Sequence, residues 1–263
     1  MKRILSITTA LALASIMLIG CASNNEEKIR SFEQLEGHSI VVQKGTMFET
    51  ILKEQYPSYN VTSVPTFFGI YKTLVSGEAE YGLDEDVSAS LILAGGLSID
   101  TSYANQPPVP MGAIFNKSNT ELKQQFDEFL TELDNSGKLA EIRTKWFNSI
   151  APSSQPVPKC HVTEGTPIKA VIEADFPPFN LKNGKDISGL DVELLTMFAD
   201  HINRPVELTI LPFNELIPAV EQGKADMSIS GISETDERKE HVLFSKPYNK
   251  THMLIVSLKK VAY

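Results

Sequence analysis

Residues 225–248 read ADMSISGISETDERKEHVLFSKPY, and this stretch decides how the rest of the chain is interpreted. Its pattern predicts a short apolar strand over 227–230, a Gly-Ile-Ser turn, and a helix that opens at Thr235. Thr is a favoured N-cap, and the acids of the next two positions complement the positive end of a helix. The stretch therefore predicts a strand–turn–helix unit with backbone N–H groups free to meet an anion at the turn.

Arg238 adds a chemical group to that turn. Its guanidinium is planar and permanently charged, which suits the two oxygens of a carboxylate. Turn and cation together predict a carboxylate-binding site. A surface helix in which Arg238 pairs with Asp236 or Glu240 explains the same residues equally well, because exposed ion pairs are common and weak.

Length and composition describe an ordinary soluble protein. The 263 residues are 42% hydrophobic and 22% charged, enough for one large domain or two small lobes with real cores. The formal net charge is −9. An acidic chain argues against nucleic-acid binding, which needs a basic face.

The beginning of the chain has the pattern of an export signal. Lys2 and Arg3 precede an apolar run over 4–20 that leads to Cys21. We expect residues 1–21 to form a signal peptide with Cys21 as the lipidated residue, followed by a tether over 22–30; a transmembrane anchor is the alternative. Cys160 is then the remaining thiol, and no disulfide, metal site or cofactor is expected.

Apolar runs and helical periodicities alternate through both halves of the chain, which predicts an α/β fold with largely parallel sheets. In such sheets ligands bind at the carboxyl ends of the strands. Segment 151–165 (APSSQPVPKCHVTEG) is a linker by composition. Two amphipathic helices precede it, with apolar stripes at Leu122, Phe126, Phe129, Leu130 and Leu133 and at Leu139, Ile142 and Trp146.

The run GISETDERK, followed by FSKPY, resembles the signature of the bacterial type 2 periplasmic binding proteins for amino acids, the solute receptors of ABC importers. That resemblance implies a two-lobed α/β fold with the ligand cleft between the lobes. It also implies a binding protein rather than an enzyme, which captures an amino acid or similar small zwitterion or carboxylate and delivers it to an ABC permease.

The segments of the family occur in an unusual order here. SFEQLEGHSIVVQKGT resembles the entry into the family's second lobe, yet it precedes DFPPF, which resembles the end of the family's first strand. The order implies a circular permutation, with lobe two over 31–108 and lobe one over 109–263. Segment 151–165 would then be the linker that joins the two ends of the ordinary family sequence. Halves of two neighbouring receptors, or a domain-swapped dimer, are the alternatives.

Permutation carries an expectation about the hinge. It leaves 107–116 as the only covalent crossing between the lobes. Segments 28–31 and 257–260 are then expected to lie close together at the hinge and to pair as strands.

Site residues follow from the resemblance position by position. In lobe one, Gly231, Ser233 and Arg238 are implied to hold the carboxylate and amine of the ligand. Phe176 matches the aromatic ring that stacks on the ligand, Phe213 an apolar lid, and Glu173 a position that meets the ligand side chain.

Lobe two supplies the other side of the implied site. Thr46 and the Met47 backbone are expected to reach the carboxylate, and Gln43 lies where some relatives carry a cation. Glu85 matches the Asp that binds the ammonium group, with Asp84 as its neighbour if the register slips by one. Glu in place of Asp puts a standard α-amino acid in doubt.

The resemblance further implies a lipid-anchored monomer in the cell envelope, on the periplasmic or extracytoplasmic face of a membrane. Two other functions stay open on the same fold. One is a dehydratase-like enzyme, for which Glu173 or Glu85 would be the acid or base. The other is a ligand-sensing input for a partner receptor.

Overall fold

The computed structural model describes residues 28–149, 155–156 and 158–259. The predicted signal peptide, Cys21 and residues 22–27 of the tether lie outside the described residues, as do 151–154 and 157 of the linker. Among the described helices, none has the length and apolar character needed to span a bilayer.

Lobe two is a five-stranded sheet flanked by helices α1 (Met47–Gln55), α2 (Phe67–Ser76) and α3 (Asp86–Ala94). Its strands are β1 (Ser39–Gln43), β2 (Asn60–Val64), β3 (Tyr81–Glu85), β4 (Ile99–Tyr103) and β15 (Met253–Leu258), in the order β2-β1-β3-β15-β4. The first three strands of the chain pair in parallel, so β1 and β3 end at the same edge of the sheet. That edge faces the other lobe.

Lobe one repeats the plan. Its sheet has the order β11-β7-β12-β6-β13, made of β6 (Ile114–Phe115), β7 (Ile168–Ile172), β11 (Val206–Ile210), β12 (Met227–Ser228) and β13 (Leu243–Phe244). A small antiparallel sheet follows β7, made of β8 (Asp175–Phe176), β9 (Asn180–Asn183) and β10 (Asp186–Ser188). The helices are α4 (Thr120–Asn135), α5 (Lys138–Phe147), α6 (Leu190–His201), α7 (Phe213–Glu221) and α8 (Asp236–Lys239).

The apolar stripes of α4 and α5 are the core of lobe one, as predicted. Every residue named for those stripes is buried. Phe126 packs edge-on against Phe198 of α6, with ring centroids 4.9 Å apart. Burying side chains of this size contributes about 1.5–3 kcal/mol each.

The chain crosses between the lobes twice. The first crossing is β5 (Val109–Met111) and the second is β14 (Asn249–Thr251); they pair antiparallel, with Asn249 opposite Met111 and Thr251 opposite Val109. The expectation that 107–116 would be the only covalent crossing is therefore wrong. A paired two-strand ribbon joins the lobes.

The second crossing also corrects the sheet membership of the last strand. The sequence predicts segment 253–258 as part of lobe one, but β15 lies between β3 and β4 of lobe two, antiparallel to both. Its buried residues are apolar, as suits a strand inside a sheet.

The expected strand pairing between the two ends of the chain is also wrong for the residues described. The backbone N–H of Asn105 donates to the Arg30 carbonyl at 2.9 Å, whereas the N–H of Lys259 donates to the Ser98 carbonyl at 3.0 Å. The two segments therefore flank opposite ends of β4. The pairing at the hinge is made by β5 and β14.

Candidate functional site

All eleven residues proposed from the sequence line one cavity between the lobes. The cavity volume is about 30 Å³, room for one or two water molecules, so the lobes are closed against each other. The residues are Gln43, Thr46, Met47, Asp84, Glu85, Glu173, Phe176, Phe213, Gly231, Ser233 and Arg238. Ligand contact by each of them stays a prediction.

Arg238 sits at the centre of this interface, and α8 places it there. Thr235 is the N-cap of α8, and its hydroxyl accepts from the Arg238 backbone N–H at 3.2 Å, as the sequence predicted. The side chain is only 6% exposed. Its Nη1 donates to the Ser233 carbonyl at 2.7 Å and its Nη2 to the Gly45 carbonyl of lobe two at 3.0 Å.

The alternative of a surface ion pair with Asp236 or Glu240 does not describe this arginine. Burial lowers the pKa of Arg238 to about 10, while the nearby charges of Glu237 and Glu85 act to raise it. The group therefore remains cationic at neutral pH. It lies over the ring of Phe213, 5.6 Å from the centroid, which holds the guanidinium plane in place.

The turn before α8 is fixed by the hinge and by a buried acid. The Gly112 N–H donates to the Ile232 carbonyl at 3.0 Å, which ties the turn to the first crossing. The Gly231 N–H donates to Asp191 Oδ2 at 2.8 Å and to the Tyr248 hydroxyl at 3.0 Å.

Gly231 itself must be glycine. It has φ +55°, and a Cβ there would lie 2.5 Å from a ring carbon of Phe176. The stacking ring of Phe176 therefore rests directly on the turn that precedes Arg238. Phe179 stacks on this ring, with ring centroids 5.0 Å apart.

Lobe two contributes the end of β1 and the start of α1. Thr46 is the N-cap residue of α1, and its hydroxyl donates to the Gln43 carbonyl at 2.7 Å. Gln43 Nε2 crosses the cleft to donate to Glu173 Oε1 at 2.5 Å. Gly45, between them, has φ +81°, and a Cβ there would lie 2.6 Å from the Asn214 Cβ of lobe one.

The two acids at the end of β3, Asp84 and Glu85, differ in their hydrogen-bond partners. Asp84 accepts from the Tyr71 hydroxyl and, through Oδ1, from the Glu85 N–H at 2.7 Å. Glu85 Oε1 accepts from the Ser233 hydroxyl of lobe one at 3.3 Å. Glu85 Oε2 is buried, and within the described part of the chain it has no hydrogen-bond donor.

Burial raises the pKa of all three acids in the cleft. It raises that of Asp84 to about 7 and that of Glu173 to about 8, and with the charge of Asp84 it raises that of Glu85 well above its usual value. Glu173 Oε2, like Glu85 Oε2, is buried without a donor among the residues described. Two residues that line the cavity thus each have a buried carboxyl oxygen without a hydrogen-bond donor in the described part of the chain.

Several residues that the sequence did not single out complete the site. Phe67 of α2 meets Phe176 edge-on across the cleft, with centroids 5.5 Å apart. Asp175, beside Phe176, accepts from the Thr66 hydroxyl and the Phe68 N–H at the start of α2. Only the Thr66 position, a favoured N-cap before an apolar run, offered a local signal.

Comparison with known proteins gives a consistent result. The family model described as "Bacterial extracellular solute-binding proteins, family 3" matches residues 18–149 and 168–262. The arginine-binding extracellular protein ArtP of Bacillus subtilis is 40% identical over 86 residues, 33% of this chain and 34% of its own. A probable histidine-binding protein of Campylobacter jejuni is 35% identical over 92 residues, 35% and 36% of the two chains.

The chain thus spans about a third of the length of the curated relatives that it matches. Among solved structures, an ancestral arginine-binding protein bound to arginine is 32% identical, with a TM-score of 0.28 over 30% of this chain and 35% of its own. These relatives are binding proteins, not enzymes.

Proposed function

Because the chain belongs to family 3 of the bacterial extracellular solute-binding proteins, we propose that it is an extracytoplasmic receptor that captures an amino acid by closure of its lobes. One observation carries the proposal. Arg238 of lobe one and Glu85 of lobe two line the same closed cavity. A zwitterion leaving water needs both of its charges paired, since an unpaired buried charge costs several kcal/mol.

The two charges come from different lobes, and this explains why the ligand favours closure. Arg238 takes the α-carboxylate and Glu85 takes the ammonium group. A ligand that pairs with both binds the closed form more tightly than the open form and shifts the population toward it. Glu85 is favoured over Asp84 because Asp84 already accepts two hydrogen bonds from the protein.

The third acid supports a ligand with a cationic side chain. Glu173 lines the cavity, is 4% exposed and has an oxygen without a protein donor among the residues described. A guanidinium, ammonium or imidazolium group would bind it. The relatives named for arginine and histidine binding agree with this chemistry. Phe176, Phe213 and Phe67 would pack on the carbon chain of such a ligand.

We propose the rest of the biological setting from the family. The receptor would deliver its ligand to an ABC permease from the outer face of a membrane. The lipid anchor at Cys21 and the monomeric state belong to this proposal. Sensing for a partner receptor is the alternative role on the same site.

The permuted order of segments is likewise a proposal. The two blocks matched by the family model are separated by residues 150–167, which coincide with the linker predicted at 151–165. Local matches to single relatives cover about a third of each chain, as expected when only one block can be aligned in order. A gene that places residues 166–260 before residues 28–149 should encode a protein that binds the same ligand. Loss of binding in a folded product would contradict the permutation.

A thermal-shift screen of the protein without its lipid tests the function. We expect arginine, lysine or histidine to raise the melting temperature, since a ligand that binds only the folded state stabilises it by mass action. Ligand recovered unchanged after incubation supports binding, and chemical conversion would indicate an enzyme. No shift with any amino acid would contradict the proposal.

A further inference from the structure

Two carboxyl groups in the cleft share an unusual situation. Glu85 and Glu173 are 7% and 4% exposed, and both line the cavity. In each, Oε1 accepts one hydrogen bond from the opposite lobe, from Ser233 and from Gln43 respectively. In each, Oε2 is buried and lacks a donor among the residues described. Lobe closure therefore leaves one acceptor on each side of the cleft unsatisfied.

The charges around Glu85 favour its neutral form. Asp84 precedes it and Asp86 follows it, and in the part of the chain that the structure describes Arg238 is the one cation that acts on it. Arg238 is also used by two backbone carbonyls. Tyr71 donates to Asp84 rather than to Glu85.

Glu173 has less charge compensation still. Among the described residues, the only charged group that acts on it is Asp175, which is negative, and its amide partner Gln43 is neutral. The backbone N–H of Glu173 donates to the Ser230 hydroxyl at 2.9 Å. An ionised Glu173 in the closed cleft would lack a cation, and a buried charge without a partner is strongly disfavoured.

Building on the proposed function, we propose that protons and the cationic groups of the ligand compete for Glu85 and Glu173, so that ligand capture releases protons. Without a ligand cation, each carboxyl enters the closed cleft as the acid. When the ligand binds in place of this closed, protonated form, the O–H bond of the acid breaks and the proton passes to the solvent. The carboxylate then pairs with an ammonium or guanidinium group that keeps all its own protons, and no covalent bond to the ligand forms.

The sign of the pH dependence follows from the direction of the pKa shifts. Burial raises the pKa of Glu173 from 4.5 to about 8, so closure without a cation takes up a proton. The favourable effect of this protonation on the free energy of closure is fully present below pH 4.5 and is lost as the pH rises through about 8. Acidification from pH 8 to pH 6 thus favours lobe closure without ligand and weakens the binding of a cationic ligand.

Calorimetry with arginine, in phosphate and in Tris at pH 7, tests the inference. The difference in apparent enthalpy between buffers of different ionisation enthalpy gives the number of protons exchanged. We expect release of about one to two protons per arginine. For each proton released, Kd should rise about tenfold when the pH is lowered by one unit. Binding with no proton release would overturn the inference and leave the proposed function standing. No binding of arginine, lysine or histidine at pH 8 would overturn both.

Variants assign the protons to residues. Glu173→Gln keeps the shape of the side chain but cannot titrate, so we expect proton release to fall by about one. Glu164→Gln removes an exposed carboxyl and should leave the proton count unchanged. A full proton count in a folded Glu173→Gln protein would remove Glu173 from the inference.

A further measurement needs no variant. Small-angle X-ray scattering of the wild-type protein without ligand should give a smaller radius of gyration at pH 6 than at pH 8. A radius that does not change with pH would contradict proton-driven closure.

Discussion

Arg238 Nη2 and the carbonyl oxygen of Gly45 are 3.0 Å apart, and they belong to different lobes. The hydrogen bond between them exists only while the lobes are closed. A guanidinium has five N–H donors, so the bonds to Gly45 and Ser233 leave donors for a ligand carboxylate. Arg238 is thus both a candidate ligand contact and part of the closure itself.

Replacement of Arg238 tests this double role. We expect Arg238→Ala to abolish measurable amino-acid binding, and Arg238→Lys to weaken it at least a hundredfold, because an ammonium group cannot reproduce the fork that bonds two partners. Calorimetry gives the affinity and circular dichroism reports the fold. Lys224→Ala, at an exposed position of lobe one, is the control. Unchanged affinity in Arg238→Ala would remove Arg238 from the site.

Gly45 tests closure without touching the ligand chemistry. A Cβ at this position would lie 2.6 Å from the Asn214 Cβ and 2.7 Å from its Cα, so Gly45→Ala should hold the lobes apart. We expect a larger radius of gyration in the presence of ligand and an affinity at least tenfold weaker. Gly37 has the same φ of +81°, and a Cβ there would have no other atom within 4 Å.

Gly37→Ala is therefore the matched control, because a methyl group there meets open space while the backbone strain is the same. It should lower stability by a similar amount and leave ligand affinity unchanged. Equal effects of the two substitutions on affinity would show that strain, rather than the contact with Asn214, limits closure.

Asp175 should act as a helix cap supplied by the other lobe. Its carboxylate accepts from Thr66 and from the Phe68 N–H at the start of α2, where the helix dipole favours a negative charge. Opening of the lobes breaks these bonds. We expect Asp175→Ala to weaken ligand binding by about 1 kcal/mol, roughly fivefold, by destabilising the closed form.

Asp186→Ala, at an exposed position of β10 in the same small sheet, is the control for loss of a negative charge. Scattering should show a more open average shape for Asp175→Ala at low ligand concentration. Identical affinities for the two variants would contradict a role for Asp175 in closure.

Asp191 gives a pH dependence of stability. Burial raises its pKa to about 7, while hydrogen bonds from Tyr248, Gly231 and Asn180 act in the opposite direction. Its contribution to the free energy of unfolding is complete below pH 3.8 and is lost as the pH rises through about 7. We expect Asp191→Asn to remove a slope of at most about 1.4 kcal/mol per pH unit over this range.

Urea denaturation at pH 5 and pH 8 measures that difference. Asp236→Asn, at an exposed position of α8, should behave as the wild type. The prediction fails if the wild type and Asp191→Asn lose the same free energy of unfolding between the two pH values.

Much of the site could be predicted because its residues lie in local patterns. The strand, turn and N-cap around Thr235 are encoded by neighbouring residues, and they determine the backbone position from which the Arg238 side chain extends into the cleft. The helical stripes of α4 and α5 predicted their buried faces for the same reason. Resemblance then supplied the residues of the opposite lobe.

What the sequence did not predict depends on contacts between distant segments. Phe67 and Asp175 gain their roles only when the lobes meet, and neither has a local pattern that says so. The position of β15 between β3 and β4 is likewise a matter of pairing over about 150 residues, which an apolar run alone does not specify. The same limit explains the error about the number of crossings.

The interior place of β15 has a consequence for biosynthesis. The ribosome synthesises β3 and β4 long before it reaches Met253–Leu258. Until then, the strand that pairs with both of them is missing from the sheet. Nascent lobe two therefore exposes unpaired backbone for most of translation, and chaperone protection or delayed export would favour its correct assembly.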